Sequence, residues 1–151
     1  MSKIILKNLQ FSNMFSYGEA NSLDLNKSRI TQLTAPNGSG KSSISTIIQE
    51  ILFNKNVKGI KKTDIINRWS KSKTWDASLS FTADTVEYEV SIKRVGAQTK
   101  VQLIEDGKDI SEHKVLDTYK KISDIIGSNF EVFSQLTYQS STDLLDFLKA
   151  T

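Results

Sequence analysis

The chain has 151 residues, 38% of them hydrophobic, which predicts one globular domain. It has no cysteine and a single histidine, His113, which excludes disulfide bonds and argues against a zinc site. Its apolar runs are far shorter than the roughly 20 residues of a membrane span, so we expect a cytoplasmic protein with no membrane partner. The net charge of +3 is too small by itself to indicate nucleic-acid binding.

Hydrophobic patterns in the first third of the chain predict three strands and a helix. The strands are expected at 3–11, 21–25 and 29–35, and the third leads directly into a glycine-containing turn. Between Lys41 and Phe53 apolar residues recur at helical spacing, which predicts one buried helix face. That face consists of Ile44, Ile47, Ile48, Ile51 and Leu52.

Residues 55–74 are strongly basic. Seven basic residues against the single acid Asp64 give residues 55–73 a net charge of +6, which would attract a phosphate backbone or an acidic surface. The alternative is an ordinary solvated lysine-rich loop, since no ladder of aromatic residues accompanies the charges. The candidate DNA contacts in this stretch are Lys58, Lys61, Lys62, Arg68 and Lys71.

Residues 75–110 alternate between apolar and polar side chains, which predicts three half-buried antiparallel strands. Asp106 and Gly107 supply a hairpin turn. Further on, helical spacing predicts a helix that ends at Gly127, and residues 130–138 mix a short helix with a strand. The expected buried face of the longer helix is Val115, Leu116, Tyr119, Ile122 and Ile126. An amphipathic helix is expected from Thr142 to the last residue.

Residues 35–42, Ala-Pro-Asn-Gly-Ser-Gly-Lys-Ser, have the pattern of a phosphate-binding loop between a strand and a helix. Gly38 and Gly40 allow positive φ, so that successive amides turn toward an anion at the N-terminus of the next helix. Lys41 places an ammonium at the β and γ phosphates of ATP, and the Ser42 hydroxyl coordinates Mg²⁺. The usual first glycine of the pattern is Ala35 here; the competing interpretation is a chance glycine-rich turn.

A hydrolase also needs an acidic residue for Mg²⁺ at the end of a second hydrophobic strand. The nearest candidate is Glu105-Asp106, but the order of the two acids is reversed and a hairpin turn is the better interpretation. The sequence therefore contains half of a catalytic site.

Three phrases together resemble the amino-terminal lobe of the SMC/SbcC family of ABC-class DNA-repair ATPases, and in particular the large subunits of phage recombination endonucleases. They are residues 8–18, the loop with Asn37 to Ser43, and Tyr88-x-Val90-x-Ile92-x-Arg94. The resemblance implies an α/β fold, a P-loop NTPase (ABC ATPase-like) amino-terminal lobe with an antiparallel β-subdomain packed beside the P-loop helix.

The resemblance also implies the partners. The Walker B acids and the signature motif of this family lie in a carboxy-terminal lobe beyond a long coiled coil. Two such heads sandwich two ATP molecules with Mg²⁺, and they act with a nuclease subunit on DNA during double-strand-break processing and recombination. We therefore expect an ATPase only in the complete head dimer, with the isolated chain inactive or nearly so.

Site residues follow from the same resemblance. Gln139 is expected to be the Q-loop glutamine, and Gln135 is the alternative. Gln139 and Ser42 are the expected ligands of Mg²⁺, and Gln139 and Lys41 are the expected catalytic residues. Adenine-side contacts are expected from Asn13, Met14, Phe15 and Ser16. The nucleotide-binding set is Asn37, Gly38, Ser39, Gly40, Lys41, Ser42 and Ser43.

We expect a single lobe over residues 1–151. Its parts are the strands, P-loop and first helix (1–54), the basic loop (55–74), the antiparallel strands (75–110), the helical segment with the Q-loop (111–141), and the start of the helix that leads to the coiled coil (142–151). A helix cut short at Thr151 favours a trimmed fragment. Two other functions remain open: a complete small P-loop phosphotransferase, and a noncatalytic nucleotide-sensing module that binds DNA.

Overall fold

The computed structural model describes residues 2–136, and their strands form one antiparallel sheet in the order β2-β1-β3-β4-β5-β6. The long strands are β1 (Ile4–Ser12), β3 (Thr74–Ala83), β4 (Val86–Val95) and β5 (Gln98–Glu105). Short strands β2 (Asn21–Asp24) and β6 (Lys108–Asp109) lie at its two edges. The helices are α1 (Lys41–Phe53), α2 (Lys62–Ile65), α3 (Val115–Ile126) and α4 (Phe130–Leu136).

The predicted alternation of residues 75–83 is confirmed by burial on one face of β3. Its buried side chains are Trp75, Ala77, Leu79, Phe81 and Ala83. The opposite face carries serine, threonine and aspartate side chains. A sheet with one apolar face must be covered by another element. Here α1 covers it, contacting β3, β4 and α3.

Two-residue turns connect the strands from β3 to β6. Asp106 and Gly107 join β5 to β6 with φ of 45° and 81°, the double positive φ of the turn that suits a right-handed twisted hairpin. The Asp106 carboxylate accepts a hydrogen bond from the Glu87 amide at 3.0 Å. The predicted hairpin turn is confirmed, and Asp106 has a structural role in it.

The helix expected over Lys41–Phe53 has the predicted bounds, and its buried face is wider than the apolar residues indicate. Ile44, Ile47, Ile51 and Leu52 are buried, whereas Ile48 is half-buried. In α3, Tyr119, Ile122 and Ile126 are buried, and Gly127 ends the helix with φ of 70°, as predicted. Leu116, however, is 76% exposed, so its placement on the buried face is wrong.

The strand expected at 29–35 is absent from the structure, which is a correction to the sequence analysis. These residues have no regular structure, and Ile30 and Leu33 are 85% and 43% exposed. A strand is stabilised by backbone hydrogen bonds to a neighbouring strand. Strand β1 is already paired on both sides, with β2 and β3, and in the described part of the chain residues 29–35 do not pair with the open side of either edge strand, β2 or β6. The strand part of 130–138 and the helix from Thr142 lie outside the described residues.

A buried ion pair ties the C-terminal end of α1 to the basic stretch. Glu50 has no exposed surface, and its carboxylate accepts hydrogen bonds from the Lys62 ammonium and from the Asn56 amide. Lys62 also donates to the Asn54 carbonyl at 2.8 Å. Burial lowers the pKa of Lys62, while the hydrogen bond to Glu50 opposes that shift.

Replacing Lys62 by methionine leaves the Glu50 carboxylate buried without its cation, so the free energy of unfolding should fall by about 3 kcal/mol. The neighbouring Lys61 is exposed, and Lys61→Met should change stability by less than about 0.5 kcal/mol. Urea denaturation of both variants checks the difference. Equal losses in the two variants would show that the ion pair does not hold the segment.

Candidate functional site: the loop before the first helix

Two glycines give the loop before α1 its shape. Gly38 and Gly40 have φ of 80° and 90°, in the left-handed region that other residues rarely adopt. Gly40 is the residue immediately before α1, so the free amides of the first helical turn and the positive end of the helix dipole face the loop. The geometry is that of an anion-binding loop at a helix N-terminus.

Gly40 is also required because two side chains approach it closely. A Cβ atom at this position would lie 2.6 Å from the Ser16 hydroxyl oxygen and 3.1 Å from the Tyr17 ring. The Tyr17 hydroxyl donates a hydrogen bond to the Gly40 carbonyl at 3.1 Å. By contrast, a Cβ at Gly38 would meet no atom within 4 Å. The loop is therefore held at Gly40 and open at its tip.

The Lys41 side chain crosses back over its own loop. Its ammonium donates hydrogen bonds to the carbonyls of Ala35 and, at 2.8 Å, Pro36. These contacts hold the positive charge against the loop backbone, at a position that solvent still reaches. An anion bound by the loop amides would find the ammonium beside it, which is the chemistry expected of a phosphate-binding lysine.

The remaining predicted ligands lie along the loop and the first turn of α1. Asn37, Ser39 and Ser42 are exposed, and Ser43 is half-buried with its amide bonded to the Gly40 carbonyl at 2.9 Å. Among residues 2–136 no three histidine, cysteine, aspartate or glutamate side chains cluster to hold a metal ion. The exposed Ser42 hydroxyl at the start of α1 is an oxygen ligand of the kind that Mg²⁺ accepts.

A cleft of about 530 Å³ opens beside the loop, a size typical of ligand pockets. Part of its wall is the irregular segment before the loop, and part is the β1–β2 hairpin. The lining residues include Phe11, Tyr17, Leu23, Leu33, Ser39 and Lys41.

The expected adenine-side residues divide into buried and accessible ones. Met14 has no exposed surface, and Asn13 is buried with its carbonyl accepting a hydrogen bond from the Asn67 amide. Neither offers a nucleotide its side chain. Phe15 is half-buried and Ser16 is exposed next to Gly40, so these two remain as contact candidates.

Of the two candidate Q-loop glutamines, Gln139 lies outside the described residues. Gln135 is exposed in α4, and Phe130 and Phe133 of that helix pack on Phe53 at the end of α1. With 13 residues α1 is about 20 Å long. The structure therefore places α4 at the opposite end of α1 from the loop, and it does not bring Gln135 to Lys41.

The predicted DNA-contact residues of the basic stretch fall into two groups, those exposed to solvent and one that is held in an ion pair. Lys58, Lys61, Arg68 and Lys71 are exposed, whereas Lys62 is held by Glu50. The structure also shows a residue that the sequence analysis missed: Trp69 is 93% exposed. The only signal in the sequence was its position between basic residues, because a tryptophan is usually assigned to the core.

The close approach at Gly40 predicts a difference between two glycine substitutions. Gly96, in the β4–β5 turn, has φ of 59° and open space around it, so Gly96→Ala should cost about 1 kcal/mol from backbone strain. Gly40→Ala adds a steric overlap to the same strain, about 1–3 kcal/mol more. Urea denaturation measures both, and Ser16→Gly should recover part of the Gly40→Ala loss. Similar costs for the two alanine variants would contradict this account of the loop.

Comparison with known proteins identifies the family. Residues 8–151 match the family model of the AAA domain. The chain is 46% identical over its whole length to a protein of Escherichia phage T5 named probable exonuclease subunit 2, and it spans 24% of that protein. It is also 34% identical over 98 residues to the uncharacterized protein R555 of Acanthamoeba polyphaga mimivirus, covering 63% of this chain and 7% of that protein.

Solved structures support the fold. One solved structure comes from work on ATP-driven dimerization and DNA-stimulated activation of SMC ATPases. It superposes on this chain with a TM-score of 0.71 at 20% sequence identity, and the match covers 97% of this chain and 92% of that chain. The recombination mediator RecF with ATP gives a TM-score of 0.56 at 13% identity, covering 72% of this chain and 28% of that chain. The expected fold is thereby confirmed: the chain belongs to the AAA-domain family and has the mixed α/β fold of the amino-terminal lobe of an SMC-type ATPase head.

Proposed function

We propose that this chain is the ATP-binding half of an SMC/SbcC-like ATPase head that acts on DNA breaks during recombination. The observation that carries the proposal is the loop geometry: Gly38 and Gly40 at positive φ, the N-terminus of α1 behind them, and the Lys41 ammonium folded into the loop. Each of these features favours a bound polyphosphate.

In this proposal each residue of the loop has one task. Gly38, Ser39 and Gly40 turn their amides to the phosphates, and Lys41 exchanges its two carbonyl contacts for phosphate oxygens. The Ser42 hydroxyl would hold Mg²⁺, which would supply further charge neutralisation to the phosphates. Asn37 lies toward the γ phosphate, Ser43 completes the first turn of α1, and Gln139 would meet the metal and the attacking water.

Hydrolysis is proposed to require a carboxy-terminal lobe of the same ATPase. The irregular segment 29–35 supports this, because it combines strand-like sequence with exposed Ile30 and Leu33. A neighbouring strand from another lobe would complete its hydrogen bonds and cover these side chains. Glu105 ends β5 and accepts a hydrogen bond from Tyr88, and Asp106 lies in the hairpin turn, so we expect the catalytic acid from outside residues 2–136.

The assembly proposed is a dimer of two heads around ATP, working with a nuclease subunit at DNA ends in the cytoplasm of a phage-infected bacterium. Support comes from the phage T5 relative, which is named a probable exonuclease subunit, and from the SMC ATPases, for which ATP-driven dimerization and DNA-stimulated activation are described. In the described residues no helix is long and apolar enough to cross a bilayer. The DNA contacts proposed are Lys58, Lys61, Arg68 and Lys71; Lys62 is left out because its ammonium is held by Glu50.

Nucleotide binding by the chain should depend on Lys41. We expect Lys41→Ala to weaken ATP binding roughly 10- to 100-fold, the loss typical of a hydrogen bond to a charged group. Lys108→Ala, which removes an exposed lysine at the far edge of the sheet, should leave affinity unchanged. Calorimetric titration with and without Mg²⁺ measures both variants, and Ser42→Ala should lose the added affinity that Mg²⁺ gives. Unchanged ATP affinity in Lys41→Ala would refute the proposal.

Turnover should appear only when the missing lobe is supplied. Co-expression with the remainder of the phage T5 relative, of which the matched part is 24%, should give ATP-dependent dimers and hydrolysis that Lys41→Ala abolishes. Light scattering and phosphate release follow the two events. Hydrolysis by the chain alone would favour a complete small phosphotransferase. Dimers or DNA binding without turnover would favour a noncatalytic nucleotide-sensing module.

A further inference from the structure

Trp69 is the most exposed of the large hydrophobic side chains in the described residues. Removing a tryptophan from water is strongly favourable, and tryptophan side chains are highly buried on average. The other tryptophan of the chain, Trp75, follows that rule and is 1% exposed. At 93% exposure both faces of the Trp69 ring are accessible to a ligand.

The backbone that carries Trp69 is held in place by Asn67. The Asn67 side-chain carbonyl accepts a hydrogen bond from the Trp69 amide at 2.8 Å, and its main-chain carbonyl accepts one from the Ser70 amide at 3.1 Å. Asn67 itself is buried, and its side-chain amide donates to the Tyr17 carbonyl at 2.9 Å. The indole is thus presented to solvent by a fixed turn, not by a loose loop end.

The same contacts connect this turn to the nucleotide loop. Tyr17, whose carbonyl accepts from Asn67, donates through its hydroxyl to the carbonyl of Gly40. A second link joins the Phe15 amide to the Ile65 carbonyl at 2.6 Å. Trp69 therefore belongs to the same rigid frame as the phosphate-binding loop.

The charges around Trp69 indicate what kind of ligand covers it. Its sequence neighbours include exposed Arg68, Lys71 and Lys73, and Asp64 is the only acid between residues 55 and 73. Protein interfaces are enriched in tryptophan and arginine but depleted of lysine, so Lys71 and Lys73 argue against a protein ligand. Binding sites for single-stranded nucleic acid combine an aromatic ring, on which a base stacks, with basic residues along the backbone. The surroundings of Trp69 match the second description.

We propose that Trp69 is a stacking platform for an unpaired base of single-stranded DNA, with Arg68 and Lys71 contacting the phosphates on either side. The proposal rests on the DNA-binding function proposed above, and it adds a preference for unpaired over duplex DNA. In a duplex the faces of the bases are covered by their neighbours, so an indole gains a stacking partner only where a strand is open, as at a frayed or resected end.

The test compares binding of the 151-residue chain to an oligothymidylate and to a blunt duplex by fluorescence anisotropy. Trp69→Ala should weaken single-strand binding roughly 5- to 150-fold, the range measured for one aromatic–base stack, and should change duplex binding less than about twofold. Trp69→Phe should retain most of the affinity, whereas Trp69→Leu, apolar but not aromatic, should not. Leu116→Ala removes another exposed apolar side chain, on α3, and serves as the matched control.

Several results would overturn this inference: unchanged single-strand binding in Trp69→Ala, equal binding by Trp69→Phe and Trp69→Leu, or equal losses for single-stranded and duplex DNA. The last two would indicate a general apolar contact. Absence of DNA binding by the unaltered chain would overturn both the stacking role and the proposed DNA contacts. The ATP titration on Lys41→Ala is independent of all these outcomes, so the nucleotide-binding proposal stands or fails separately.

Discussion

The close contact of Gly40 with Ser16 and Tyr17 is the constraint on which the site depends. It fixes the last residue of the loop before α1, and it leaves no room for a side chain there. Tyr17 extends the contact in two directions, through its hydroxyl to Gly40 and through its carbonyl to Asn67. Three segments that are distant in the sequence, the β1–β2 connection, the loop and the basic stretch, thereby form one structural unit.

Helix α1 connects the two charged regions of the molecule. Its N-terminus faces the glycine-containing loop for which we propose phosphate binding, and Glu50 near its C-terminus holds Lys62 in the basic stretch. The helix is kept in position by its wide buried face against the sheet, which includes polar Gln49 as well as the isoleucines. Because a buried carboxylate without its cation is costly, the ion pair holds Lys62 of the basic stretch against the C-terminal part of α1.

Local sequence was sufficient to predict the strands and helices with a repeating apolar pattern and the turns that contain glycine. The alternation in residues 75–83, the helical spacing in Lys41–Phe53 and the Asp106-Gly107 turn each reflect a local rule of geometry, and the structure has all three. The glycine-lysine-serine sequence after Asn37 likewise predicted a loop with positive φ at Gly38 and Gly40. Local rules suffice here because the relevant interactions lie within a few residues of one another.

The tertiary structure alone decided what depends on distant partners. Strand-like residues 29–35 remain irregular in the described part of the chain because they pair with no strand of the sheet, although β2 and β6 each leave one side open. The sequence does not distinguish Lys62 from its neighbour Lys61, and only the tertiary structure shows that Lys62 pairs with Glu50. Trp69 is exposed and Trp75 is buried, although only six positions separate them. Asn67 holds the turn that carries Trp69 at the surface, whereas Trp75 lies on the buried face of β3. The sequence by itself thus determined the glycine-containing loop and the helix that follows it, whereas long-range packing determined which charged and aromatic side chains remain available to a ligand.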